Sequence, residues 1–240
     1  MDFDDPGNGQ CDSVCALVRS TGLHARLAEG ENHLLELGCG TGPFGRRLLM
    51  EYPLLRVTGF DVMPGRIETL RGFLERDGLA ARYRAALGDI TRADLCAAAS
   101  CDVILAPSIL HHFIGLRDTP VPGNIRRWLR PGGYLLVYDP NGASPVLRVS
   151  SEVMRPAVRL FASLRRYKVP EETMYSPGYL REVFAGQGFE CLYCVTRGVR
   201  LAVRGTRPLP LALRNLVFNL VEPLLWGERR GNSLAMLFQG

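Results

Sequence analysis

Three glycines alternate with other residues directly after an apolar run, at Gly38, Gly40 and Gly42. Glycine has no Cβ, so such a loop turns tightly and lets a ligand lie against its backbone. The spacing is not that of a dinucleotide fingerprint, because Pro43 stands where the third glycine would be, and the Lys-Ser/Thr pair of a P-loop is absent. Glu36 lies two residues before the loop, where a carboxylate would repel phosphate but suit an ammonium group. The loop therefore predicts a binding site for a ligand other than a pyrophosphate or triphosphate.

A pair of histidines, His111 and His112, follows another apolar run. Histidine is the side chain best suited to move a proton near pH 7. Sheets of α/β proteins place their sites beyond the carboxyl ends of the strands. One of the two histidines is therefore a candidate general base, and packing is the alternative for each. Asp139 and Asn141 follow the next predicted strand, where they either orient an acceptor or form a simple turn.

Alternating strands and helices are predicted to position these residues. Short apolar runs alternate with helical patterns over the first 140 residues, which indicates a parallel sheet with helices on both faces. The predicted strands are 33–37, 56–60, 82–87, 103–106, 134–138, 189–195 and 233–238. The predicted helices are 12–28, 44–51, 64–76, 176–185 and one that ends within 124–129. Asp12 is the expected N-cap of the first helix, and residues 131–133 are an expected turn.

Composition limits the class of protein. The 240 residues are 47% hydrophobic and 22% charged with a net charge of +5, which excludes a disordered chain, a coiled coil and a collagen-like repeat. No run of eighteen apolar residues and no signal-peptide pattern occurs, so we expect neither a transmembrane helix nor export. Seven scattered cysteines do not form a disulfide framework, which favours a reducing cytoplasm and buried thiols, including the pair Cys191 and Cys194.

The glycine loop and the acids that follow it resemble the class I S-adenosylmethionine-dependent methyltransferases. In that family an acidic residue and GxGxG wrap the methionine part of the cofactor. An acid at the end of the second strand, matched by Asp61, binds the ribose hydroxyls, and an acid after the third strand, matched by Asp89, binds the adenine amino group. The resemblance covers about residues 32–140 and 176–195. It implies a Rossmann-like, seven-stranded, mostly parallel sheet and S-adenosyl-L-methionine as cofactor. The cofactor-binding residues that it implies are Glu36, Gly38, Cys39, Gly40, Gly42, Asp61, Val62, Asp89, Ile90 and Pro107.

Short motifs that distinguish subgroups of this family limit the expected class of methyl acceptor. Residues 106–109 lack the Pro-Pro-aromatic run of enzymes that methylate DNA bases, so no nucleic acid is expected, and the first ligand of metal-dependent relatives is missing, so no metal is expected. Leu-His-His-Phe at 110–113 resembles bacterial enzymes acting on small or amphiphilic metabolites. The expected function is in-line methyl transfer to a quinone-like, lipid-like or natural-product acceptor. The alternatives are a non-catalytic cofactor-binding partner protein, or methylation of a protein or RNA, which the basic stretch 155–168 favours.

The expected organisation is one domain over residues 1–240. Residues 1–30 form an N-terminal arm and helix, and residues 31–141 form the cofactor-binding core. Helical insertions after the fifth and sixth strands, at 142–175 and 198–231, are long enough to have a function of their own and are predicted to cap the substrate site. Tyr175 is a candidate substrate contact in the first insertion, with packing as its alternative. Packing of the insertions on the core, a homodimer contact and transient contact with a membrane surface are left open.

Overall fold

The computed structural model describes residues 9–144, 173–197 and 233–240, which form a seven-stranded sheet with helices on both faces. The strands are β1 (Asn32–Leu37), β2 (Leu55–Asp61), β3 (Tyr83–Leu87), β4 (Cys101–Pro107), β5 (Leu129–Pro140), β6 (Glu190–Arg197) and β7 (Ser233–Gln239). The helices are α1 (Gly9–Arg19), α2 (Leu23–Glu29), α3 (Pro43–Glu51), α4 (Pro64–Arg76), α5 (Val121–Trp128) and α6 (Pro177–Ala185). Single 3₁₀ turns lie at Ala93–Leu95, Leu110–His112 and Leu116–Asp118. The predicted α/β class is confirmed.

The strand order is β3-β2-β1-β4-β5-β7-β6. The first five strands in chain order are parallel, whereas β7 is antiparallel to both of its neighbours, β5 and β6. The order reverses between β1 and β4, and a crevice forms beyond the carboxyl ends of parallel strands at such a switch point. The glycine loop after β1 and the histidine pair after β4 therefore lie on the same edge of the sheet.

Both faces of the sheet are covered by apolar layers. One layer holds buried side chains of α1 to α4, such as Leu17, Leu48 and Leu70. The other holds those of α5 and α6, including Trp128 and Phe184. All seven residues of β4 are buried, because neither of its faces meets solvent. A central strand that is covered on both faces has a nearly continuous apolar sequence, and this pattern allowed β4 to be predicted.

Two helices replace the single helix predicted over 12–28. Between them, the hydroxyls of Ser20 and Thr21 each donate a hydrogen bond of 3.1 Å to the backbone carbonyl three residues earlier. Such side-chain bonds offer the backbone an alternative to the helical ladder, so α1 ends there. The prediction that Asp12 caps the helix is wrong, because Asp12 lies inside α1.

Strand β5 is longer than the predicted 134–138. Residues 131–133, expected to form a turn before it, lie within the strand, and Gly132 has a φ of +72°. The pairing of β4 with β5 shifts register between Cys101 and Val103, opposite this point. The Pro-Gly-Gly run is therefore a bulge, which bends the strand without ending it.

Most of the two predicted insertions lies outside the described residues. Residues 142–144 and 173–175 of the first insertion are described, and none of the second is. The predicted cap, its basic stretch and the arm before Gly9 stay predictions. Among the helices that the structure describes, none is both long enough and apolar enough to span a membrane.

Candidate active site

The glycine loop joins β1 to α3 and has a left-handed backbone at each glycine. The φ angles of Gly38, Gly40 and Gly42 are +62°, +55° and +69°, values that favour glycine over other residues. The loop is anchored by the amide of Cys39, which donates to the carbonyl of Phe60 at the end of β2 at 2.9 Å. The alternating glycines thus meet a conformational demand of the loop itself.

The space beside each glycine differs. A Cβ on Gly38 would lie 2.6 Å from Ile109, and one on Gly42 would lie 2.6 Å from Leu70, so both glycines are packed against the protein. The nearest atoms to a Cβ on Gly40 are 3.8 Å away. A side chain at Gly40 would extend into open space beside the loop, which is the space that a ligand lying on its backbone needs.

Two cavities of about 520 Å³ each adjoin the loop. The loop cavity is lined by residues that include Gln10, Gly38, Cys39, Gly40, Thr41 and Pro107. The strand-end cavity is lined by residues that include Asp61, Val62, Asp89, Ile90, His112 and Phe113. Gly38, Arg66 and Ser108 line both, so the cavities adjoin. Eight of the ten predicted cofactor residues line one cavity or the other, whereas Glu36 and Gly42 line neither.

Asp61 lies at the carboxyl end of β2, between the loop and the strand-end cavity. Its Oδ2 accepts a hydrogen bond of 2.9 Å from the amide of Gly40, and its Oδ1 accepts one of 2.9 Å from the amide of Met63. A carboxylate oxygen accepts more than one hydrogen bond, so both oxygens keep capacity for hydroxyl donors. This arrangement fits a ribose diol held beside the glycine loop.

Asp89 follows β3 and is exposed at the strand-end cavity. The amide and hydroxyl of Thr91 donate to its Oδ1 at 2.9 and 2.8 Å, and these bonds hold the pKa of Asp89 below its usual value. The carboxylate is therefore ionised at neutral pH and can accept from an amino group. The neighbouring Ile90 is buried, and its carbonyl accepts from the side-chain amide of Asn124 at 3.1 Å, which fixes this wall of the cavity.

Glu36 is placed differently from the prediction of a direct ligand contact. Its side chain is fully buried, and Tyr83 donates to its Oε2 at 2.6 Å. A Cβ on Gly45 would lie 2.3 Å from that oxygen, so α3 passes close to the carboxyl. Burial raises the pKa of Glu36 to about 7, against the hydrogen bonds from Tyr83 and the Gly45 amide. Glu36 is therefore a buried residue of β1 that contacts Tyr83 and α3, and it lines neither the loop cavity nor the strand-end cavity.

His111 and Asp139 form a buried pair between the ends of β4 and β5. The Nδ1 of His111 lies 2.5 Å from Oδ1 of Asp139, and its backbone amide donates to Oδ2 at 3.1 Å. Burial raises the pKa of Asp139, and the contacts from His111 oppose that rise. The ring of His112 lies 4.1 Å from that of His111, centroid to centroid, and lines the strand-end cavity. The three side chains thus lead from the cavity to the end of β5.

The other two predicted substrate residues, Asn141 and Tyr175, form hydrogen bonds with backbone groups. The side-chain oxygen of Asn141 accepts from the amide of Ala143 at 3.0 Å. This contact agrees with the alternative that Asn141 forms a turn. The hydroxyl of Tyr175 accepts from the amide of Leu116 at 3.0 Å and donates to the carbonyl of Phe113. Tyr175 therefore stabilises the segment that follows the histidine pair. Asn141 and Tyr175 line neither of the two cavities.

Arg66 and Ser108 line both cavities and were not among the residues predicted from the sequence. Arg66 lies in the first turn of α4 with its Nη1 4.0 Å from Oδ2 of Asp61. Ser108 follows β4 with a φ of +51°, and its amide donates to the carbonyl of Tyr138 at 2.6 Å. A left-handed backbone at a residue other than glycine is uncommon and is concentrated at functional sites. The signal for both was their place just beyond the end of a strand.

The geometry fits an amino-acid-bearing nucleoside. A glycine loop open at Gly40, a carboxylate with capacity for a diol and a second, ionised carboxylate follow one another along adjoining cavities. Within residues 9–144, 173–197 and 233–240, no group of three His, Cys, Asp or Glu side chains is placed to hold a metal ion.

Comparisons with known proteins agree with this geometry. A family model described as a methyltransferase domain matches residues 34–133. A malonyl-[acyl-carrier protein] O-methyltransferase from Paenibacillus sp. (strain JDR-2) is 28% identical over 172 residues, which are 68% of this chain and 57% of the relative. The highly reducing polyketide synthase acrA from Aspergillus aculeatus is 32% identical over 152 residues, which are 58% of this chain and 6% of that protein. The chain therefore spans well under two thirds of both curated relatives.

The fold has relatives among solved structures. A SAM-dependent methyltransferase from Archaeoglobus fulgidus superposes with a TM-score of 0.61 at 14% identity, covering 96% of this chain and 94% of the other. Likeness at that identity concerns the fold alone. The family model matches the segment that runs from the glycine loop to the bulge in β5. Residues 34–133 therefore match a methyltransferase domain, and the fold is that of solved SAM-dependent methyltransferases, which supports S-adenosyl-L-methionine as the cofactor.

Proposed function

We propose that this protein transfers a methyl group from S-adenosylmethionine to an oxygen atom of a small acceptor, with His111 as general base. The observation that carries the proposal is the buried pair of His111 and Asp139 at the edge of the sheet where the cofactor residues lie. A hydroxyl acceptor must lose its proton when its oxygen is methylated, and a histidine beside a carboxylate is suited to take that proton.

The chain's own residues hold the cofactor. Gly40 would let it approach the backbone, Asp61 would accept from the ribose hydroxyls, and Asp89 would accept from the adenine amino group. When bound, the cofactor would supply an activated methyl group on its sulfonium sulfur, for in-line transfer to the acceptor oxygen with S-adenosylhomocysteine as the leaving group. Because positive charge is lost in that displacement, the protein contributes mainly by positioning the two reactants and excluding water.

The proton is handled by His111. Asp139 lies against the Nδ1 of His111, and we assign the acid–base role to Nε2 of the same ring. Asp139 is a positioning residue, because it fixes the tautomer and orientation of the imidazole and stabilises its protonated form. The same division of roles between a histidine and a buried carboxylate is used in hydrolytic triads.

The lining of the strand-end cavity indicates the chemical class of the acceptor. Val62 and Met63 line the strand-end cavity and are 65% and 49% exposed, so exposed apolar side chains form part of its rim. Such a rim suits a hydrophobic or amphiphilic acceptor such as a quinone-like, lipid-like or natural-product molecule. The name of the Paenibacillus relative, an O-methyltransferase, agrees with oxygen as the acceptor atom.

The test is a turnover assay that measures S-adenosylhomocysteine released with a panel of hydroxylated hydrophobic metabolites. For the best acceptor, His111→Gln is expected to lower kcat about a hundredfold or more, the range of general-base catalysis, while S-adenosylhomocysteine binds with unchanged affinity. Asp139→Asn is expected to change the pH dependence of kcat. His112→Gln is the matched control, since it changes the neighbouring histidine.

Three results would count against the proposal. If His111→Gln keeps the kcat of the wild type and His112→Gln loses it, the base is His112. If an amine acceptor is methylated and no hydroxyl is, oxygen is the wrong atom. If the cofactor binds and no acceptor of any class is methylated, the chain is a cofactor-binding partner protein.

A further inference from the structure

Two thiols lie in contact at the start of β4, on the edge of the sheet away from the cofactor residues. The Sγ atoms of Cys96 and Cys101 are 3.7 Å apart. The hydroxyl of Ser100 lies 3.1 Å from the first sulfur and 3.6 Å from the second. A disulfide has an S–S length of about 2.05 Å, so the two sulfurs need to approach by only about 1.7 Å.

The backbone between the two cysteines holds them together. Cys101 opens β4 and is fully buried, while Cys96 follows the 3₁₀ turn Ala93–Leu95. The chain reverses between them at Ala99, whose φ is +49°. The amides of Ala99 and Ser100 donate to the carbonyls of the last residues of α5 at 2.8 and 3.0 Å, which anchors the reversal. The contact between the thiols is therefore built by a fixed turn.

The two thiols differ in access and acidity. Cys96 is partly exposed, whereas Cys101 is buried. The hydrogen bond with the Cys101 thiol, aided by the contact with Ser100, lowers the pKa of Cys96, whereas the contact with Cys96 and burial raise the pKa of Cys101. Because the thiolate is the reactive form of cysteine, the partly exposed thiol is the one suited to react with a reagent from solution.

We propose that Cys96 and Cys101 form a reversible dithiol–disulfide pair, with Cys96 as the thiol that reacts first with a small oxidised disulfide such as glutathione disulfide. The Cys96 thiolate attacks one sulfur of the reagent, forms a mixed disulfide and releases one glutathione thiolate. The Cys101 sulfur then attacks Sγ of Cys96 and releases the second glutathione, and the proton that Cys101 loses goes to water or to the released glutathione thiolate. In total two thiols are oxidised and one glutathione disulfide is reduced to two thiols, which take up both protons.

The bond is expected to be easily reduced. A disulfide that closes so short a loop restrains the unfolded chain little, so it adds little stability. In a reducing compartment such bonds are transient, which suits a redox-sensitive element and not a structural cross-link. The predicted absence of a disulfide framework is compatible with this pair, because the proposal concerns an oxidised form of the chain.

Trypsin allows a direct test, because cleavage after Arg92 and Arg117 gives a peptide, 93–117, whose only cysteines are Cys96 and Cys101. The native, full-length chain is incubated with glutathione disulfide, quenched with acid, unfolded, alkylated and digested. The expected peptide carries no alkyl group and is lighter than its reduced form by two hydrogen atoms, and prior treatment with dithiothreitol restores two alkylated cysteines. A peptide with both cysteines alkylated after oxidation, or with glutathione on both, overturns the proposal.

Variants test the order of events. In Cys101→Ser, Cys96 is expected to retain one glutathione, since no second thiol is present to displace it. In Cys96→Ser, Cys101 is expected to stay unmodified. Glutathione on Cys101 of Cys96→Ser, at the rate seen for Cys96 in Cys101→Ser, contradicts Cys96 as the first thiol. Cys15→Ser removes a buried thiol elsewhere and is the matched control, with the wild-type result expected for peptide 93–117.

Discussion

The buried carboxyl of Glu36 makes the stability of the fold depend on pH in a direction that can be measured. Tyr83 donates to Oε2, while Oε1 has no hydrogen-bond partner among the residues that the structure describes. The substitution Glu36→Gln keeps the shape and an acceptor for Tyr83 but cannot ionise. It therefore reproduces the protonated form of Glu36 at every pH.

The magnitude follows from the pKa of Glu36. In the unfolded chain a glutamate has a pKa of about 4.5, and burial raises the pKa of Glu36 in the folded chain to about 7. The folded state thus binds this proton more tightly, and the stabilisation is fully present below pH 4.5. It is lost as the pH rises toward 7, by about 3 kcal/mol in total. Above pH 7 the contribution of Glu36 no longer changes.

The assay is urea unfolding of the wild type and Glu36→Gln between pH 4.5 and 8.5. The free energy of unfolding of the variant minus that of the wild type is expected to rise by about 3 kcal/mol across pH 4.5–7 and then level off. Subtraction removes the groups that the two proteins share. Glu75→Gln, at an exposed carboxyl of α4, is the matched control for removal of one glutamate charge. A flat difference profile for Glu36→Gln refutes the reasoning, because Glu36 would then be ionised in the fold throughout.

Two further predictions concern cofactor binding, measured by calorimetry with S-adenosylhomocysteine. Gly40→Val is expected to abolish binding, because its side chain fills open space beside a backbone of φ +55°. Gly72→Ala, with nothing near its Cβ, is the control, and wild-type affinity in Gly40→Val would remove the loop from the site. Asp61→Asn is expected to weaken binding about tenfold to a hundredfold, since it removes a charge-assisted hydrogen bond of about 1.5–3 kcal/mol. An unchanged dissociation constant there would mean that the ribose is held elsewhere.

The elements of the core were predictable because their patterns are local. Helix α4 begins and ends where the sequence predicts, between the proline at its start and Gly78 just after its end. Ser176 caps α6 as its Ser-Pro sequence indicates, and its hydroxyl accepts from the amide of Tyr179 at 3.2 Å. Short runs of four to seven residues located all seven of the described strands. The acids at strand ends were also predictable, since the ends of parallel strands share an edge.

The partners of site residues were not predictable, because they depend on strand register and on contacts across the sheet. His111 and Asp139 are 28 residues apart and meet through the pairing of β4 with β5. The contact between Glu36 and Tyr83 crosses β2, which separates their strands. A sequence pattern names candidate side chains, but it does not tell which of them pair with each other and which line a cavity. Tyr175 was a reasonable substrate candidate by position, and its hydroxyl is used by the backbone instead.

The position of β7 between β5 and β6 sets an order for assembly during synthesis. Strand β6 leaves the ribosome before β7, yet among the described strands it pairs with β7 alone and not with β5. The backbone groups on this edge of β5 therefore stay unpaired until the residues of β7, which begins at Ser233, have been synthesised. Long-range pairing of this kind slows folding and leaves apolar strand edges open to aggregation meanwhile. A nascent chain stalled before β7 would be a substrate for chaperones, although every cofactor residue predicted from its sequence had already been made.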